Sequence, residues 1–161
     1  MEIIQGHFYF VSDSFFQKIN DPYLKINYET TKRPHYFPFI DKNTGLLWLV
    51  PCSSKVEKFE QIIEQKKANH KPTDTIKIVR IFGKKTVLLF QDMFPTTEKY
   101  IFDEYIKGGK SVRISNPNDI TSLEKVAAKT VRMIHRGVKF TPTQPDALRI
   151  EKMLINELNN R

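Results

Sequence analysis

Two tight-turn signals, each set between short runs of β-forming residues, most constrain how this chain folds. Lys42-Asn43-Thr44-Gly45 lies between Tyr36–Asp41 and Leu46–Pro51, and Gly83-Lys84-Lys85 lies between Ile76–Phe82 and Thr86–Gln91. Asn and Gly tolerate the left-handed backbone that a hairpin turn requires, so both stretches are predicted to be antiparallel hairpins. Pro38 has no N–H to give to a ladder, which places its strand at an edge or a bulge. Between the hairpins, Val56, Phe59, Ile62 and Ile63 recur at helical spacing and predict an amphipathic helix over 55–69. Residues 7–11 read as a first strand. Ser12 or Asp13 then starts a short helix carrying Phe15, Phe16 and Ile19.

The last third changes character. After weaker strands at Tyr100–Tyr105 and Ser111–Ile114, around Gly108-Gly109, Ser115–Asp119 reads as a turn and helix start. Ile120, Leu123, Ala127, Val131 and Ile134 form one helical face, ended by Gly137. Thr143 is expected to cap a final helix with Pro145 in its first turn and Ala147, Ile150, Leu154 and Leu158 as its buried stripe. About six strands, with helices between and after them, predict one α+β domain over residues 1–161. Strands this short suit a strongly bent, barrel-like antiparallel sheet with helices packed on it.

Charge narrows the partners. The 161 residues carry a net charge of +8, yet residues 1–54 hold five basic and five acidic side chains, so the whole excess lies in 55–161. A basic chain with interleaved aromatics points to nucleic acid, against the blander reading of a soluble basic protein. No apolar run approaches the roughly 18 residues of a membrane span. Glu2 and Gly6-His7 interrupt the opening, so no secretion signal is read there. The single Cys52 cannot form an internal disulfide, and a cytoplasmic setting is expected.

The residue types that hold cofactors are not grouped. His7, His35, His70 and His135 are scattered, one cysteine cannot build a zinc cluster, and no phosphate-binding glycine loop occurs, so no metal or cofactor is expected. Three segments draw attention instead. Pro51–Glu57 passes from a strand into a helix. Ser54 and Glu57 have capping-box spacing, but the same geometry would also set hydroxyls and Lys55 beside free helix N–H groups, a place for phosphate. Tyr28–Tyr36 is a polar loop entering a strand. Either it is a solvated surface, or Lys32 and Arg33 clamp phosphate while His35 moves a proton. Lys125, Lys129, Arg132 and Arg136 form a one-signed stripe on a helix face, readable as solvated surface or as a backbone contact to nucleic acid. Lys84 and Lys85 at a hairpin tip are further candidates for RNA contact. Tyr36 is a candidate for stacking on a base or for the core.

At Lys32-Arg33-Pro34-His35-Tyr36, Leu49–Lys55 and the helical end that includes Met133-Ile134-His135-Arg136, the chain resembles toxins of type III toxin–antitoxin systems. The likeness is to the ToxN/AbiQ endoribonuclease family, and most closely to its CptN branch. Each motif is short, and the likeness rests on their order and spacing. It implies a bent SH3-like barrel of the Kid/MazF kind, with added helices. It implies metal-independent RNA cleavage to 2′,3′-cyclic phosphate and 5′-hydroxyl ends. It also implies a small repeated antitoxin RNA as partner, cellular or phage RNA as substrate, and a closed assembly of alternating toxin and RNA. Ser53 and Ser54 would take the family's paired hydroxyls and Lys55 its lysine. Tyr28 and Lys32, or Arg33 in the adjacent register, match its tyrosine and upstream cation. The proline that some relatives carry before the lysine is missing here, and Ser53 stands where threonine is common. A non-catalytic RNA-binding module is the alternative.

Overall fold

The computed structural model describes residues 1–160. The first hairpin forms from β2 (Pro34–Ile40) and β3 (Leu47–Ser53), and the second from β4 (Ile76–Ile81) and β5 (Lys84–Leu89). They join through β3 and β5, and β1 (Phe8–Val11) flanks β2. A short β6 (Phe94–Thr96) follows a 3₁₀ turn at 90–92, and β7 (Ile101–Glu104) pairs with β1. The sheet order is β4-β5-β3-β2-β1-β7, all neighbours antiparallel, with β6 added on β3. Strands β8 (Ile106–Lys107) and β9 (Lys110–Ser111) form a separate small hairpin. The helices are α1 (Asp13–Ile19), α2 (Val56–Ala68), α3 (Pro117–His135) and α4 (Ala147–Asn159).

Both faces of the sheet are buried, and strand alternation decides which residue serves which face. Phe8, Tyr36, Trp48, Val50 and Cys52 point to one side, where α3 lays down Leu123, Ala127, Val131 and Ile134. Tyr9, Phe37, Leu47 and Leu49 point to the other, against Phe15, Phe16 and Ile19 of α1 and Ile150 and Leu154 of α4. A third cluster of Phe59, Ile76, Val87 and Leu89 fixes α2 over the β4–β5 hairpin. The predicted α+β class, bent antiparallel sheet and two C-terminal helices are all present.

Of the two placements expected for Pro38, the bulge is the one found: the β2–β3 register shifts between Tyr36 and Phe39, and β2 is an interior strand. Several other local details differ from the expectation. The second hairpin turns at Phe82-Gly83, and Lys84 and Lys85 are already in β5. Strand β6 is too short, and too interrupted by Pro95, to show in the sequence pattern. The last helix starts later than its Thr143 signal. Asp146 is its N-cap, accepting the Arg149 N–H at 3.1 Å.

The end of α3 follows its sequence signal. Gly137 takes a φ of +82°, its N–H donates to the Ile134 carbonyl at 2.9 Å, and Val138 N–H donates to the Met133 carbonyl at 3.0 Å. This is the Schellman arrangement, which needs a residue at ease in the left-handed region. Nothing lies near the position a Cβ would take. Gly137→Ala therefore tests backbone strain alone, and chemical denaturation should show a loss of about 1–2 kcal/mol.

Candidate active site

β3 ends at Ser53 and α2 begins at Val56, leaving Ser54 and Lys55 as the whole connection. Ser53 still belongs to the sheet, opposite Val87 of β5. That pairing prolongs the strand and delays the helix, so Lys55, not Ser54, occupies the N-cap position. The Ser54–Glu57 capping box does not form, and α2 has no side-chain cap. Ser53 Oγ instead accepts the Lys55 N–H at 3.2 Å. Ser53 is buried, while Ser54 and Lys55 are exposed. The junction thus sets two hydroxyls beside helix N–H groups that have no side-chain cap, with the exposed Lys55 side chain starting from the same turn, a combination suited to an anion.

The 28–36 segment reaches this junction through Arg33. Its guanidinium donates to the Ile26 carbonyl at 3.1 Å and to the Cys52 carbonyl at 2.7 Å, and its backbone N–H donates to Asn27 Oδ1 at 3.0 Å. The guanidinium carbon lies 4.5 Å from the centre of the Tyr28 ring, a cation–π contact. Arg33 therefore ties the loop carrying Tyr28 to the end of β3. A cleft of about 210 Å3 results, with Tyr28, Ser53, Ser54, Lys84, Lys85 and Tyr105 among its walls. Lys85 is paired with Glu60 at 3.1 Å. Lys84 and Lys55 have no acidic partner within 4 Å among the described residues.

The remaining candidates divide. Lys32 turns away, to Asp13 at 3.0 Å and to the Phe102 ring at 5.6 Å, so Arg33 is the cation held against β3. His35 does not reach the cleft. β-strand alternation points it into the core, where it is fully buried and packs on Phe16 and Phe94. Burial, helped by the nearby Arg33 charge, pushes its pKa down to about 3, so the ring is neutral and unsuited to proton transfer near pH 7. Tyr36 is also fully buried, against Phe8, and cannot stack on a base. Cys52 is a buried thiol that desolvation pushes up to about 12, inert as a nucleophile. Lys125, Lys129 and Arg132 are exposed on α3, and Arg136 is its exposed C-cap residue. Lys129 is paired with Asp74 at 3.1 Å.

Two residues of the cleft, and one buried carboxyl, carry no signal in sequence. Tyr105 and Lys107 complete its wall from the segment around β8. Asp92 is 4% exposed, with Lys25 at 3.9 Å. Burial raises the Asp92 carboxyl to about 6, against the pull of Lys25 and Arg33. These groups come from segments far apart in the chain, so no motif marks them. Among the described residues, no group of three or more His, Cys, Asp or Glu side chains is arranged to hold a metal. No helix there is long and apolar enough to cross a membrane.

No protein-family model matches this sequence, and neither does any curated protein. Among solved structures, the fold is similar to that of AbiQ, a lactococcal anti-phage endoribonuclease belonging to the type III toxin–antitoxin system. The superposition has a TM-score of 0.75 and covers 98% of this chain and 100% of AbiQ, at 12% sequence identity. At that identity the two share a fold; the CptN branch is not distinguished by it.

Buried Asp92 gives the protein's stability a pH signature. A carboxyl whose folded pKa is raised contributes stability below its unfolded value near 3.8, and that contribution is lost as pH rises through about 6. Buried, neutral His35 contributes in the opposite direction over the same range, so the Asp92 contribution is read as a difference: from pH 4 to 7 the stability of Asp92→Asn, measured by chemical denaturation, should rise relative to the wild type. The expected difference at pH 7 is roughly 2–3 kcal/mol.

Proposed function

We propose that this protein is an endoribonuclease toxin of a type III toxin–antitoxin system, with its active centre at the β3–α2 junction. The observation that carries the reading is the meeting of Ser53 and Ser54 with Tyr28 in one cleft, with Lys55 the next residue of the junction and Arg33 tying the two segments through its hydrogen bond to the Cys52 carbonyl. The resemblance in sequence motifs and the fold shared with AbiQ support the same assignment.

The reaction that suits this geometry is an internal transesterification of RNA. The ribose 2′-hydroxyl loses its proton as its oxygen bonds to the adjacent phosphorus. The P–O5′ bond breaks, and the departing 5′-oxygen takes up a proton. The products are a 2′,3′-cyclic phosphate and a 5′-hydroxyl, and no oxidant or reductant is consumed. Negative charge gathers on the non-bridging oxygens in the transition state. The Lys55 ammonium and the α2 N–H groups stabilise that charge, and the Ser53 and Ser54 hydroxyls hold the phosphate by hydrogen bonds. With His35 sequestered in the core, Tyr28 in the cleft and Lys55 at the head of α2 are left as the proton-transfer groups. Arg33 positions Tyr28, because its Nε and one Nη N–H are held by the Ile26 and Cys52 carbonyls while its planar face lies against the Tyr28 ring.

In this reading the protein cuts a repeated antitoxin RNA into units that then hold it inactive in a closed assembly, and it attacks cellular or phage RNA when released. The exposed α3 stripe contributes phosphate contacts. The discriminating experiment is incubation of purified protein with RNA in EDTA, followed by analysis of the product ends. The expected result is cyclic phosphate and 5′-hydroxyl termini from the wild type and no cleavage by Lys55→Ala. RNA affinity of that variant should stay within about tenfold, or about 1.4 kcal/mol. Full cleavage by Lys55→Ala contradicts the assignment, and binding without cleavage by the wild type favours a non-catalytic module. For the stripe, replacing Lys125 and Arg132 with Gln should reduce the salt dependence of RNA binding by a slope of about 0.7 for each phosphate no longer neutralised.

A further inference from the structure

The β4–β5 hairpin breaks a rule of turn chemistry. Its two-residue loop, Phe82-Gly83, has positive φ at both positions, 50° and 76°. Such a turn favours Asn, Asp or Gly at its first position, because a bulky side chain is strained in the left-handed region. Phe82 adopts that conformation with a large apolar ring that is 56% exposed. Its ring packs on no other aromatic ring among the described residues. Strain of this kind at an exposed residue is a pointer to function.

The surroundings indicate what the ring meets. Phe82 borders two cavities at once. One is the cleft at Ser53 and Ser54. The other is a groove of about 950 Å3 between β4, β9 and the first turns of α3. Lys77, Arg80, Lys110 and Arg113 line the groove, against a single acidic side chain, Asp119. None of these four cations has a carboxylate within 4 Å among the described residues. On the cleft side, Lys84 and Lys107 continue the positive charge. An aromatic face between two basic channels is the layout of a single-strand platform, in which cations track phosphates and a ring stacks on a base. An extended apolar peptide would leave the cations unpaired, and an RNA duplex would offer the ring no free base.

We propose that the groove carries the RNA strand flanking the scissile phosphate, and that Phe82 stacks on one base of it and so fixes the register of cutting. This rests on the ribonuclease reading and adds the path of the strand and a register-setting residue. Binding is measured by fluorescence anisotropy with a short labelled single-stranded RNA carrying 2′-O-methyl riboses, which cannot undergo internal attack. Phe82→Asn places a preferred residue in the turn, so its melting temperature should match or exceed the wild type's. Its RNA affinity should fall by about 5- to 150-fold, the range for losing one stacked base. Phe82→Trp should retain wild-type affinity. Substituting abasic sites along the RNA should abolish the difference between wild type and Phe82→Asn at one position only. Equal affinities of wild type and Phe82→Asn overturn the inference, even where the wild type cuts unmodified RNA as expected. A Phe82-dependent affinity in a protein that cuts no RNA upholds the platform and removes the nuclease reading instead.

Discussion

β3 hydrogen-bonds to three other strands, and the site follows from how they divide it. One edge pairs with β2 along nearly its whole length. The other is shared between β6 at Leu47–Leu49 and β5 at Cys52–Ser53. The 3₁₀ turn at 90–92 separates β5 from β6, so the sheet changes partners along a single strand. Every residue of β3 is buried, because helices cover both faces of the sheet. A strand held on both edges and both faces has little freedom at its end. Ser53 is fixed by its pairing with Val87, and the chain leaves it directly into α2. A reactive junction built on rigid elements keeps its groups in place better than one built on a free loop.

Electrostatics complete the arrangement. The net charge of +8 comes wholly from residues 55–161, yet the proposed cutting groups straddle that boundary. Tyr28, Arg33, Ser53 and Ser54 belong to the neutral part, and Lys55 opens the basic part. The basic part then supplies the cleft wall through Lys84 and Lys107, the groove through Arg80 and Arg113, and the α3 stripe. Much of this charge is unopposed by nearby carboxylates, which is consistent with a polyanionic partner supplying the counter-charge.

The outline of the fold was legible because it depends on local signals. Short, nearly continuous runs of apolar and β-forming residues on either side of a turn signal mark β2 and β3, helical periodicity marks α2 to α4, and Gly137 stops α3 through its own backbone freedom. Boundaries were less legible where a tertiary contact overrode a local one. Ser54 has the right neighbours to cap α2, but the β3–β5 ladder runs to Ser53, directly before it, and the helix starts only after Lys55. His35 and Tyr36 carry the chemistry of a site, and only their burial within a two-faced sheet shows that they serve the core. Lys32 and Arg33 are indistinguishable by spacing; the Cys52 carbonyl decides between them. Asp92, Tyr105 and the Phe82 platform depend on the meeting of distant segments, which no pattern along the chain records.

The central claim is that the β3–α2 junction directs a ribose 2′-oxygen onto its own phosphate. The most direct measurement uses RNA with a single 2′-deoxy substitution at the nucleotide 5′ to the mapped cut, compared with unmodified RNA under single-turnover conditions. Cleavage at that bond should disappear while binding of the RNA is kept. Continued cutting at the deoxy position would show that water or another external nucleophile attacks the phosphate, and would contradict that claim.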